Sequence, residues 1–206
     1  KFSITDARYE QIHGFLNRYN FTVSEDTPLD QEVAVDAEML GRVYENLVNK
    51  SDQSDERSDS GIFYTPRTEI DLMCRLSLVD YLSNHLVEHD KEIKSLLYEF
   101  VFAFSPSDKF DADRKIKDKD LWPRIGKLIE EITVVDPACG SGSFLIGMMQ
   151  VLDDIAERVN RNLGKNESVF DRRKRIIGNS LYGVDVKRWA VEVAELRLWL
   201  DRKSVV

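Results

Sequence analysis

The chain has 206 residues, room for one ordinary domain with a core or a smaller domain with an appendage. Its 29 Lys and Arg stand against 37 Asp and Glu, a formal charge of −8, which excludes strong phosphate-neutralising nucleic-acid binding by this segment alone. No apolar run approaches the ~20 residues that a membrane span needs, and the two cysteines, Cys74 and Cys139, form no disulfide framework, so a reducing cytoplasm is expected. Lys1 is not followed by a charged-then-apolar leader, which reads as an excised or processed segment rather than a secretory precursor.

Residues 1–50 are expected to be helical, with Met39, Leu40, Val43, Tyr44 and Leu47 at the spacing of an amphipathic helix over Glu38–Val48. Residues 51–60 contain no apolar side chain and predict a solvated loop. Thr65 is placed to cap a helix, with Pro66 at its first position and Glu69 near its opening turn, and Ile70, Met73, Leu76 and Val79 continue it. A second helix is expected from roughly His85 to Phe104. Ser105–Asp120, polar and punctuated by Pro106, predicts a surface loop.

Trp122–Glu131 predicts a short helix feeding a strand at Ile132–Asp136. After a glycine-containing turn, Phe144, Met148, Leu152, Ile155 and Val159 mark one face of a long helix that ends at Asn162-Leu163-Gly164-Lys165. A basic-faced helix at Phe170–Asn179, a strand at Leu181–Asp185 and a helix at Arg188–Lys203 complete the reading, the last with Val191, Ala194, Leu198 and Trp199 on one side. The strand–helix alternation from residue 132 onward is the doubly wound α/β pattern.

The stretch Val134-Val135-Asp136-Pro137-Ala138-Cys139-Gly140-Ser141-Gly142-Ser143-Phe144-Leu145 carries the strongest chemical signal. A β-branched run ends in a carboxylate, turns through two glycines and opens an apolar helix, where open α/β sheets bind ligands. Gly140 and Gly142 lack the Cβ that would collide with a ligand, and Ser141 to Phe144 would offer backbone N–H groups at a helix start. Asp136 could stabilise a cationic group, and Asp185, at the tip of the next strand, is placed to accept two ribose hydroxyls. A Walker-type loop does not fit, because Gly126-Lys127 is followed by Leu128 and Gly164-Lys165 by Asn166. The dinucleotide fingerprint fails as well, since Leu145 stands where a third glycine belongs. His85-Leu86-Val87-Glu88-His89 matches the pattern of inverted zinc peptidases, yet it reads as a mixed surface helix, and no metal site is assigned.

Gly61-Ile62-Phe63-Tyr64-Thr65-Pro66, Asp136 through Leu145, and Leu181-Tyr182-Gly183-Val184-Asp185 resemble motifs X, I and II of gamma-class N6-adenine DNA methyltransferases, in their order. Within that class the chain is most similar to the large Type IIG restriction–modification polypeptides. The flanks agree over Leu40–Leu47 and Ala190–Leu200. The resemblance implies S-adenosylmethionine (SAM) as cofactor. Tyr64, Thr65 and Pro66 would border its methionine end, Asp136, Ala138 and Gly140 its middle, with Phe144 and Val186 near the adenine and Asp185 on the ribose. Gly142 completes the turn beneath it. Lys187-Arg188 departs from the Asn-Pro often found in the family.

Such enzymes act on a flipped adenine with an Asn/Asp-Pro-Pro-Tyr/Phe motif. The prolines here are Pro28, Pro66, Pro106, Pro123 and Pro137, so no two are adjacent and the motif is absent from this chain. The resemblance therefore implies a prokaryotic, cytoplasmic restriction–modification enzyme of which this is the cofactor-binding part, meeting double-stranded DNA through downstream regions. The expected fold is α/β, a partial Rossmann-like methyltransferase fold, helix-rich because its sheet is truncated. Residues 1–55 would form a helical segment and 56–206 the partial SAM-binding domain. The open sheet edge is left to pair with another copy or to be covered by helices. Two alternatives stand beside this: a non-catalytic interaction or specificity module with a SAM-like fold, and a fragment of a Type I modification subunit.

Overall fold

A computed structural model of the chain describes residues 65–86 and 91–203, together with residues 10, 11 and 14, which are helical. The expected helix over 38–48, the loop over 51–60, the boundary between 55 and 56, and Tyr64 lie outside the described residues. Among those described, the order is α1 (Arg67–Leu86), α2 (Lys91–Val101), α3 (Pro106–Asp118), α4 (Trp122–Glu131), β1 (Val134–Asp136), α5 (Ser143–Leu163), α6 (Val169–Asn179), β2 (Leu181–Gly183) and α7 (Arg188–Lys203).

The long helix α5 organises the rest. Its apolar residues are so numerous that it buries nearly a full circumference, including Met148, Met149, Leu152, Ile155 and Val159. It packs against α1, α4, α6, α7 and β2, while α2 joins α1 to α3. Gly164, at φ +68, closes the helix, and its N–H donates to the Asn160 carbonyl.

Several boundaries differ from the sequence expectation. The first helix begins at Arg67, so that Pro66 precedes it rather than taking its first position, its carbonyl accepting the Ile70 N–H, and the helix runs to Leu86 and takes in His85. The second helix is accordingly shorter, Lys91–Val101.

The expected loop at Ser105–Asp120 is a helix, α3, and its start and stop signals explain why. Ser105 is extended, its Oγ accepts the Asp108 N–H at 3.1 Å, and Pro106 opens the first turn. At the other end the Leu121 N–H donates to the Ile116 carbonyl and the Asp120 N–H to the Lys117 carbonyl, with Asp120 at φ 52. That is a Schellman stop in which aspartate takes the place usually held by glycine. Only Ala112 and Ile116 of α3 are buried, too sparse a stripe to register as periodicity. Ion pairs from Lys109 to Asp154, Lys115 to Glu99 and Asp113 to Arg158 tie its polar faces to α5 and α2.

The two strands run parallel, pairing Val134 with Leu181, Val135 with Tyr182 and Asp136 with Gly183. Each has three residues rather than the expected five, because regular pairing stops where the chain turns into the loops. Single hydrogen bonds carry the contact onward, from Val134 N–H to the Ser180 carbonyl, from Val184 N–H to the Asp136 carbonyl, and from Cys139 N–H to the Val184 carbonyl. Leu181 faces the core. Val135 and Tyr182 share the other face and are 61% and 49% exposed, so that face has no covering layer among the described residues. On α7 the inner side is Ala190, Ala194, Arg197 and Leu198; Trp199, expected there, is 43% exposed, one position past that stripe.

The cationic residues of α6 are largely paired inward. Asp153 of α5, itself buried, accepts from Arg172 Nε at 2.5 Å and Arg173 Nε at 2.7 Å. Arg175 forks the Glu167 carboxylate at 2.9 and 3.0 Å, and Asn160 Nδ2 donates to it at 2.8 Å. The Arg175 bonds, chiefly, hold the Glu167 carboxyl below its ordinary range despite partial burial. Such a group stabilises the fold above its unfolded pKa of about 4.3, and the contribution disappears as pH falls through the lower folded value. Urea unfolding at pH 6 and pH 3.5 should show Glu167→Gln losing less stability between the two than the parent chain. Parallel losses would contradict the pairing.

Candidate functional site

Two loops meet at the carboxyl ends of the parallel strands. At the end of β1 the Asp136 side chain bends over the turn that follows, its Oδ1 accepting the Ala138 N–H at 3.1 Å. The Gly142 N–H donates to the Cys139 carbonyl at 2.8 Å, so this group of the expected N–H cradle is already engaged within the loop. Gly140 has φ +51, and the position a Cβ would take there meets no atom within 4 Å. Gly142 has φ +83 and begins α5 with no side-chain cap. A Cβ there would lie 2.7 Å from the Ala194 Cβ. One glycine borders open space and the other is pressed against α7.

Asp185, just beyond β2, joins the two loops. Its Oδ2 accepts the Gly140 N–H at 2.9 Å and its Oδ1 the Lys187 N–H at 2.8 Å. The carboxylate is thereby fixed in orientation, and each oxygen retains a further lone pair. Cys139 is buried beneath the pair of loops. Burial first, then the charges of Asp136 and Asp185, push its thiol up, the opposite of an activated nucleophile.

The remaining predicted residues divide. Ala138 is exposed, and Val186 is 97% exposed at the rim beyond Asp185. Phe144 is half-buried, its ring packed on the core and its carbonyl 3.7 Å from the Cys74 Sγ. Thr65 lines a cavity of about 560 Å³ between α1, α5 and α7, together with Asp71, Arg75, Ser143, Gln150 and Arg197. Asp136, Gly140 and Asp185 do not line that cavity, which meets the glycine loop only at Ser143. Pro66 is exposed beside Thr65. The strand-tip residues and Thr65 thus do not line a common cavity. His85 sits in the last turn of α1 with Nδ1 2.7 Å from the Tyr81 carbonyl. Among the described residues no group of three or more His, Cys, Asp or Glu could hold a metal.

Sequence reasoning passed over Arg197. This α7 residue is buried, and its Nη1 donates to the Ser141 carbonyl at 2.7 Å, Ser141 Oγ at 2.9 Å and Ser143 Oγ at 3.1 Å. The signal was present: an arginine between Ala194 and Leu198 on the inner stripe of an amphipathic helix seldom lies there without a partner.

Residues 112–205, a little under half of the chain, match the family described as MmeI, DNA-methyltransferase domain.

Among named relatives, the chain is 34% identical over 192 residues to a type II restriction enzyme and methyltransferase of Methanocaldococcus jannaschii, covering 92% of this chain and 16% of the relative. It is 33% identical over 86 residues to the adenine-specific methyltransferase PglX of Streptomyces coelicolor, 40% of this chain and 6% of that protein. It is 31% identical over 120 residues to DNA methyltransferase A of Bacillus subtilis, 58% of this chain and 13% of that protein. The chain thus spans at most about a sixth of the length of these relatives. No solved structure matches it.

Proposed function

We propose that this chain is the cofactor-binding part of a SAM-dependent DNA methyltransferase that modifies adenine N6, in a restriction–modification setting. One observation carries the reading: Asp185 is braced by the Gly140 and Lys187 N–H groups across two parallel strand tips, its remaining lone pairs available to ribose hydroxyls. The open space at Gly140 supports the fit, since any side chain there would intrude on a ligand. When bound, SAM supplies a methyl group on a sulfonium.

In this reading Asp136, Ala138, Gly140 and Gly142 form the floor beneath the cofactor, Phe144 and Val186 border its adenine, and Tyr64, Thr65 and Pro66 approach its methionine end. The Asn-Pro-Pro-Tyr element that would position the adenine amine is absent from this sequence. The chain alone therefore transfers no methyl group, and the surrounding parts of a longer polypeptide supply that step and the contact with double-stranded DNA. The sheet face around Val135 and Tyr182, left exposed by the described residues, is a surface that such parts, or a second copy, would cover. Among the described residues no helix is long and apolar enough to cross a membrane.

Calorimetric titration of the whole protein with S-adenosylhomocysteine tests the reading. Binding is expected, and Asp185→Ala should weaken it by roughly tenfold or more, the loss of hydrogen bonds to a charged acceptor. Undetectable binding by the parent protein, or equal affinity in the variant, would refute it.

A further inference from the structure

We propose that Arg197 is a positioning residue for the glycine loop, setting cofactor affinity through Ser141 and Ser143; this rests on the loop being the cofactor cradle. A single guanidinium nitrogen reaches three acceptors that straddle Gly142, the Ser141 carbonyl and hydroxyl on one side and the Ser143 hydroxyl on the other. Arg197 is 4% exposed, so these bonds are made away from competing water.

Three residues earlier on the same face of α7, Ala194 abuts Gly142, closely enough that no side chain fits between them. The helix therefore grips the loop at two points, a steric stop at Ala194 and a charged tether at Arg197. No side chain caps the start of α5, and the tether supplies order there that a cap would otherwise give.

The electrostatics separate this arrangement from ordinary core packing. The amino end of a helix carries partial positive charge, so a buried cation beside it is disfavoured unless strong acceptors compensate. Ser141 and Ser143 provide acceptors of that kind within the loop itself. α7 is also the helix that follows Asp185, whose carboxylate accepts the Gly140 N–H. One helix and its leading turn thus hold the loop from both sides, Gly140 through Asp185 and Ser141 with Ser143 through Arg197. Arg173 provides a contrast: it donates to the Asp201 carbonyl of α7 and to Asp153 of α5, bracing the same helix without reaching the loop.

The test compares Arg197→Met, Arg197→Lys and Arg173→Met in the whole protein. Amide hydrogen exchange without cofactor should show residues 140–144 exchanging about tenfold faster or more in Arg197→Met, the scale of a lost charged hydrogen bond. The middle of α5 should be unaffected. S-adenosylhomocysteine affinity should fall by about tenfold, with KM for SAM raised and kcat at saturation retained. Arg197→Lys should recover part of both effects, and Arg173→Met should leave loop exchange and affinity at parent levels. Unchanged loop exchange in Arg197→Met overturns the proposal. So does an equal effect of Arg173→Met on exchange and affinity, which would make Arg197 a helix brace only. If the parent protein takes up no S-adenosylhomocysteine, the cofactor reading fails, while the exchange comparison still decides whether Arg197 orders the loop.

Discussion

Gly142→Ala should lower the unfolding free energy by about 2–4 kcal/mol, whereas Gly140→Ala, two residues away, should cost only about 1–2 kcal/mol. Both glycines have positive φ, so both substitutions incur the left-handed penalty of an L-residue, about 1–2 kcal/mol. They differ in what a Cβ meets. At Gly140 it enters open space. At Gly142 it would lie 2.7 Å from the Ala194 Cβ and 3.1 Å from its Cα, so backbone must shift rather than a flexible side chain. Urea unfolding monitored by circular dichroism gives both values. The steric part is separable, because Ala194→Gly in the Gly142→Ala background should recover some of the loss, a coupling expected only of residues in contact. Equal costs at the two glycines, or no coupling, would contradict the packing of α7 on the loop.

Asp153→Ala should destabilise the chain by about 3–5 kcal/mol, a comparable or larger effect. The side chain is only 9% exposed and accepts from two arginines, so its removal leaves charge unpaired in a low-dielectric setting. Arg172 keeps a longer contact to Glu157 at 3.7 Å and Arg173 keeps the Asp201 carbonyl, which favours the lower half of that range. Glu131→Ala serves as the reference. It removes a surface pair with Lys127 at 3.9 Å whose side chains are both more than half exposed, and it should change stability by no more than about 0.5 kcal/mol. The same urea experiment reads both. If the two losses were similar, Asp153 would not be the buried hub that its bonds indicate.

The elements with strong local signals were legible beforehand. Trp122–Glu131 and Arg188–Lys203 are helices with the bounds the sequence predicts, and Gly164 closes α5 as expected. The two strands were placed correctly and made too long. α3 was missed because its buried stripe is two residues and its stop is an aspartate, although Ser105-Pro106 announced its start. The Trp199 side of α7 was misjudged because periodicity gives an apolar face only to within a residue or so, while Arg197 occupies the inner stripe.

Composition and pattern alone determined the acidic balance of the chain, the strand–glycine turn–helix unit, the acid at the next strand tip and the absent Asn-Pro-Pro-Tyr element. Each of these is a local property, written in neighbouring residues. Only the tertiary structure decided that Asp185 accepts the Gly140 N–H and that Arg197 holds Ser141 and Ser143. Those facts join residues 45 to 56 positions apart through helix packing, and a directional hydrogen bond between distant segments leaves no periodic trace in the sequence.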